Sequence, residues 1–411
     1  MTTTTKRRTA VALTLLTALA AAPATAVAGD RDGTAPRGAV HESGARGTLL
    51  AVTPVADLTR TQVAAFLKKG DIGTDTVRYG VRAYRLTYRT VDTHGRPTTA
   101  TGLLALPKGG PHRLGLVSDT HGTMVHRDYA PSTAEDFGRL SPFLHAAAGK
   151  AVAAPDYLGL GKGPGLHPYM DTASAVTASV DMLRAARTAA GAKGRPLTGD
   201  LYLTGFSQGG QVAMALGREL AQRGGHGYRV RALAPVSGPY DLAGQEIPAL
   251  YDGRINDTSG VLYFSYFLVA QNRLHPLYKD PAEVFRAPYA DRVEALYDGR
   301  HGEEDVFKVL PKNVKQLLTP AFYERMKHPE GGLKEALDAN DGVCDWKPGA
   351  PVRLYAGAAD TDVPIGNARS CAADLGKNGV RAPVMNQGDV DHFGSVQVAA
   401  PKIARWFAAV R

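Results

Sequence analysis

The segment LYLTGFSQGGQVAMALGREL, Leu201 to Leu220, decides the fold. Its first four residues are apolar or β-prone. Gly205-Phe206-Ser207-Gln208-Gly209 follows, and then an Ala- and Leu-rich stretch with helical spacing. A serine between two glycines, where a strand gives way to a helix, is either a tight turn or a nucleophile. A nucleophile on such a turn is strained, and bulky neighbours two residues away would clash, so glycines at 205 and 209 relieve the crowding. The turn lifts the Ser207 hydroxyl above the sheet edge. It also sets the Gln208 N–H at a helix N-terminus, where it can stabilise an oxyanion.

A serine hydroxyl is a weak nucleophile until a base takes its proton. In this architecture the chain order is Ser, then Asp or Glu, then His. The histidines after Ser207 are His226, His275, His301, His328 and His392. His226 falls in a Gly-rich turn, and the next three fall in a long helical interval. His392 follows the last expected strand and precedes the final helix. That is a loop at a strand's carboxyl end, where open α/β sheets keep their sites. For the acid, Asp360 and Asp362 compete within Gly357-Ala358-Ala359-Asp360-Thr361-Asp362-Val363-Pro364. Asp360 is favoured because it leaves the strand first. Asp241 is a third possibility, with a turn role in Gly238-Pro239-Tyr240-Asp241 as its alternative. A second oxyanion donor is expected in the loop Ser118-Asp119-Thr120-His121-Gly122-Thr123, where Gly122 supplies the turn and the Thr123 N–H donates. His121 reads as a structural loop histidine.

Around this segment, short apolar runs alternate with helical ones. Strands are expected at Leu114–Val117, Ala151–Ala154, Leu201–Leu203, Val230–Val236, Val352–Tyr355 and Ala382–Met385. Helices are expected at Thr172–Ala190, capped by Asp171, at Gln211–Gln222, and at Val396–Val410. This rhythm implies a mainly parallel sheet covered on both faces. Residues 82–106 hold two alternating runs around THGRP, a strand-turn-strand pattern. Between Asp241 and Pro351 no convincing strand occurs. That interval is helical in pattern, rich in aromatics and too long for a loop.

The N-terminus carries targeting signals. MTTTTKRR is basic, Thr9–Ala22 is apolar but too short to span a bilayer, and Ala26-Val27-Ala28 is an A-x-A-like cleavage site. The expected divisions are a signal peptide (1–28), a flexible arm (29–50), the first part of an α/β core (51–241), a helical cap insertion (242–350) and the second part of the core (351–411). A secreted protein without an integral membrane segment after signal removal is expected, as a monomer. The formal charge of +9 comes from scattered Lys and Arg, which points to a solvated basic surface and not to nucleic acid. Cys344 and Cys371 are the only cysteines. In an oxidising compartment one disulfide is expected, and two free buried thiols are the alternative. Two isolated cysteines do not suggest a metal site.

The chain resembles the α/β-hydrolase superfamily, and more narrowly the bacterial branch related to secretory lipases such as Candida lipase A. The resemblance rests on His121-Gly122-Thr123, Pro155-Asp156-Tyr157-Leu158-Gly159-Leu160-Gly161, His167-Pro168-Tyr169, Gly205-Phe206-Ser207-Gln208-Gly209-Gly210, and the Gly357…Asp360…Val363-Pro364 run before His392. It covers about residues 80–410. It implies an α/β-hydrolase fold: an eight-stranded, mostly parallel sheet, helices on both faces, and a helical cap after the sixth strand. It also implies a Ser207-Asp360-His392 triad acting on carboxylic esters, including acylglycerols, with no metal or organic cofactor. Asp156 and its Gly-rich loop are expected to brace the site; their glycines do not form a dinucleotide-binding pattern. A histidine base must be neutral, so activity is expected to fall below about pH 6.5. A serine peptidase on the same core is the nearest alternative. A catalytically inactive hydrolase fold used for binding is the alternative from another class.

Overall fold

A computed structural model describes residues 45–410 of the protein. The expected signal peptide and most of the arm lie outside them. Nine strands among the described residues form one sheet. In chain order the elements are β1 (Leu49–Leu58), α1 (Arg60–Lys69), β2 (Gly80–Val91), β3 (Pro97–Lys108), β4 (Leu114–Thr120), α2 (Leu140–Ala147), β5 (Ala151–Pro155), α3 (Thr172–Ala192), β6 (Leu197–Phe206), α4 (Gln208–Gln222) and β7 (Arg229–Val236). Then come α5 (Ile247–Asp252), α6 (Asp257–Asn272), α7 (Glu303–Val309), α8 (Val314–Leu317), α9 (Pro320–Arg325) and α10 (Gly331–Asn340). The chain closes with β8 (Leu354–Ala356), α11 (Gly366–Lys377), β9 (Val384–Asn386) and α12 (His392–Ala409).

The spatial order is β1-β2-β3-β5-β4-β6-β7-β8-β9. The first three strands and β5 pair antiparallel, and every pairing from β5 to β9 is parallel. Period-two alternation explains the two covered faces. Leu116 and Leu203 bury against α3 and α4 on one side. Val117 and Tyr202, one residue away from each, bury against α2 and α12 on the other.

The resemblance implied eight strands; β1 makes nine. Leu49 and Leu50, read as the end of the arm, open this added edge strand, which bonds to β2 from Leu49↔Tyr88 to Leu58↔Val81. The last helix also begins earlier than its pattern suggested. It starts at His392 and not at Val396, because the Asp391 side chain accepts from Gly394 N at 2.7 Å and caps it there. His392 is therefore on a helical first turn, not in a loop. Similarly, α4 begins at Gln208, directly after the serine. Asp171 caps α3 through Ser174 N.

From residue 242 to residue 350 the segment is helical. Its helices gather a separate apolar cluster that includes Val261, Tyr266, Phe285, Val314, Phe322 and Leu333. This segment leaves the sheet at β7 and returns at β8, two strands paired through Val236 and Tyr355. Cys344, after α10, is joined by a disulfide to Cys371 in α11.

Candidate active site

Ser207 is the hinge between β6 and α4. Its backbone has φ 57° and ψ −125°, a conformation an L-residue rarely adopts and one that costs about 1–3 kcal/mol. The surroundings hold it there. Ser207 N–H donates to the Val236 carbonyl at 2.9 Å, and Gly210 N–H donates to the Ser207 carbonyl at 2.7 Å. The flanking glycines are required by backbone contact. A Cβ on Gly209 would overlap the Thr120 carbonyl, and one on Gly205 would overlap both Thr120 Oγ1 and the Gly209 carbonyl. Thr120 Oγ1 ties these parts together by donating to the Gly209 carbonyl at 2.7 Å.

His392 and Asp360 come together from sequence positions 32 apart. His392 Nδ1 donates to Asp360 Oδ2 at 2.8 Å, with both side chains nearly inaccessible to solvent. The other Asp360 oxygen accepts from the backbone N–H groups of Asp362 at 3.0 Å and Val363 at 2.9 Å. The carboxylate is thereby fixed in position. His392 Nε2 is buried and has no hydrogen-bond partner among the described residues. The imidazole lies against the Phe206 ring, 4.5 Å between centroids. It shares with Ser207 a cavity of about 950 Å³.

The competing acids have other partners. Asp362 Oδ2 accepts from the Tyr263 hydroxyl at 2.9 Å. Asp241 accepts from Gly244 N and from Ser370 Oγ, which makes it a helix cap. His301 pairs with Asp298.

The loop after β4 reaches the serine: a Cβ on Gly122 would lie 3.1 Å from Ser207 Cβ. The backbone N–H groups of Thr123 and Gln208 have no acceptor among the described residues. His121 braces this loop through Nδ1 to the Gly122 carbonyl at 2.7 Å and Nε2 to the Asp156 carbonyl at 3.2 Å. Burial pushes its imidazole below the ordinary range, against the opposing pull of the two carbonyls, and in the neutral form one ring nitrogen donates to one of them. Asp156 is fully buried and bonds Thr101 Oγ1 at 2.6 Å and Ser132 N at 2.9 Å.

Ser207 faces two spaces. One is the cavity shared with His392, whose rim carries Tyr129, Phe137 and Phe393. The other, about 690 Å³, runs under the helical segment, with Thr123, Ser207 and Gln208 at one end and walls such as Ile247, Phe267, Leu268, Met326, Leu333 and Leu337. Thr123 Oγ1 and Tyr169 OH bond at 2.8 Å beside it. Reasoning from the sequence missed the Gln208 side chain, Glu246 and Tyr263 in this lining. No local pattern marks Glu246 and Tyr263, since the folded helical segment brings them in, whereas Gln208 stands directly after the serine. Among the described residues no cluster of His, Cys, Asp or Glu could hold a metal ion, and no helix is long and apolar enough to cross a membrane.

No protein-family model matches the chain, and no curated protein matches it. Solved structures do. The esterase LipA of Xanthomonas oryzae, described as degrading rice cell wall, is 30% identical; the match covers 90% of this chain and 98% of that one, with a TM-score of 0.76. A candidate hydrolase from Legionella pneumophila is 26% identical over 88% of this chain and 97% of its own, with a TM-score of 0.80. Candida antarctica lipase A shares the fold at 14% identity, over 85% of this chain and 78% of its own, with a TM-score of 0.60. At the identity and coverage of the first of these, the chain belongs to the α/β-hydrolase superfamily, in its lipase-like branch.

Proposed function

We propose that this protein is a secreted serine hydrolase that cleaves carboxylic esters through an acyl-enzyme on Ser207. The ester-hydrolase class follows from the esterase and lipase relatives. One observation carries the mechanism: His392 is held at Nδ1 by Asp360, while its Nε2 is unpartnered in the cavity it shares with Ser207.

In this mechanism Ser207 Oγ attacks the ester carbonyl while His392 Nε2 takes its proton. Asp360 orients the imidazole and stabilises the imidazolium that forms. The N–H groups of Thr123 and Gln208 receive the developing oxyanion. These donors need no reorganisation, because no protein acceptor competes for them. His392 then protonates the leaving alcohol. Water enters, gives a proton to His392 and attacks the acyl carbonyl, and the acid leaves as Ser207 regains its proton. The apolar cavity under the helical segment suits the acyl group, and the larger one beside His392 suits the departing alcohol. Export is supported by the Cys344–Cys371 disulfide, a bond of oxidising compartments.

The test is hydrolysis of p-nitrophenyl esters from acetyl to palmitoyl by the protein and its Ser207→Ala variant, with peptide anilides alongside. Ester turnover that falls by about 10⁴ or more in the variant is expected. Anilide turnover without ester turnover would move the protein to the peptidases. Equal activity in both forms would make Ser207 a turn residue only.

A further inference from the structure

The acyl cavity contains two polar side chains that an ordinary fatty acyl chain would leave unsatisfied. Gln208 is 2% exposed, and its amide makes no hydrogen bond among the described residues; its Oε1 is wholly buried. Its position directly after Ser207 puts it at the catalytic end of the space. Glu246 is 7% exposed and lines the same cavity. One of its oxygens accepts from Asn367 Nδ2. Glu246 ends a single turn of π-helix, Leu242–Glu246, an irregularity common at functional sites.

Burying the Gln208 amide without a partner is unfavourable, the second Glu246 oxygen has no donor among the described residues, and an apolar ligand would relieve neither. A leucine at either position would line an alkyl pocket at no such cost. Buried polar groups with unused hydrogen-bonding capacity in a largely apolar cavity are instead the arrangement that discriminates ligands carrying a matching polar group from those lacking it.

We propose, on the ester-hydrolase reading above, that this cavity receives an acyl group bearing a hydroxyl near its carbonyl, held by the Gln208 amide and the Glu246 carboxyl. A hydroxyl suits both partners, since it donates to one and accepts from the other. The Gln208 amide, with no partner among the described residues at either end, turns its oxygen into the cavity and takes the hydroxyl proton. Glu246, as a carboxylic acid, donates to the hydroxyl oxygen. Its surroundings favour that form: burial, reinforced by the nearby Asp360 and Asp362 carboxylates, pushes the Glu246 carboxyl up to about 8. Gln208 directly follows Ser207, and Glu246 lines the same cavity within the electrostatic reach of Asp360, which places the hydroxyl within the first few carbons of the acyl chain.

The experiment compares kcat/KM for ethyl 3-hydroxybutanoate, ethyl 2-hydroxybutanoate, ethyl 3-aminobutanoate and ethyl butanoate, followed by acid release. The readout is the ratio of each substituted ester to ethyl butanoate, which cancels effects on folding and basal rate. At least one hydroxy ester is expected to be favoured about tenfold, the effect of one well-paired buried hydrogen bond. Glu246→Leu is expected to bring that ratio to about one, and Glu246→Gln, which keeps a donor and an acceptor, to retain part of it. A wild-type ratio of one or less, a ratio unchanged in Glu246→Leu, or a preference for the amino ester would each overturn the proposal. If no ester is turned over, the ester-hydrolase reading falls and this inference with it. Turnover of ethyl butanoate without any hydroxyl preference would sink only the inference.

Discussion

His392 Nδ1 bonds to Asp360 at 2.8 Å, while Asp362, two residues on, bonds to Tyr263. Two carboxylates that are near-equivalent along the chain thus have different tasks. Asp360→Asn is expected to lower kcat by about 10⁴, through loss of the required tautomer and of imidazolium stabilisation. Asp362→Asn keeps an acceptor for Tyr263 and should cost less than about tenfold. The pair of variants, assayed on one ester, checks the assignment; a larger loss in Asp362→Asn would reverse it.

The strained backbone of Ser207 separates stability from activity. Ser207→Ala keeps the Cβ and should leave stability near that of the parent. Ser207→Gly removes the steric conflict at φ 57°, worth about 1–3 kcal/mol, against about 0.5–1 kcal/mol for the more flexible unfolded chain. A net gain of about 1 kcal/mol is expected in denaturant unfolding, together with loss of activity. A glycine variant less stable than the alanine one would show that the turn stores no strain.

Acid sensitivity should depend in part on His145. Both its ring nitrogens are buried without partners, and burial, with the Lys150 charge, pushes its imidazole down to about 3. The unfolded chain binds the proton near 6.5 while the folded protein refuses it until about 3. Stability is therefore lost as pH falls through that window. His145→Leu should flatten the curve by up to about 1.4 kcal/mol per pH unit between roughly pH 6.5 and 3. Denaturation midpoints at several pH values measure this slope directly; parallel curves would contradict it.

The Cys344–Cys371 bond closes a loop across a sequence separation of 27 residues. Its effect should lie mainly in the unfolded state, at about 3.5 kcal/mol by chain entropy. The Cys344→Ser/Cys371→Ser double variant is expected to unfold at lower denaturant by about that amount while retaining ester turnover. Neither cysteine lines the two cavities that meet at Ser207.

The parts of the fold that were legible in the sequence are those where local pattern and burial agree. The core strands β4 to β7 are short apolar runs, and Gly205-Phe206-Ser207-Gln208-Gly209 marks a turn whose glycines are demanded by backbone contacts. The edge strand β1 was hidden because LLAVTPVADL has no buried residue, only exposed and half-exposed ones, and includes a proline. An edge strand needs no clean alternation, since its place comes from bonding to β2. Asp360 and Asp362 could be ranked but not separated, because which one meets His392 depends on a turn stabilised by the N–H groups of Asp362 and Val363. The cavity lining was beyond local reading altogether. Glu246, Tyr263, Met326 and Leu337 share a wall only after the helices between β7 and β8 fold over the serine.

The helical segment leaves and rejoins the sheet at neighbouring strands, with Val236 paired to Tyr355. It is thus a cassette: its two ends are fixed close together, and nothing in the strand order passes through it. Ser207, His392 and Asp360, the proposed nucleophile, base and acid, all lie outside it. Substrate range can therefore be altered by exchanging or redesigning this one stretch of chain, leaving the framework that performs the chemistry as it is.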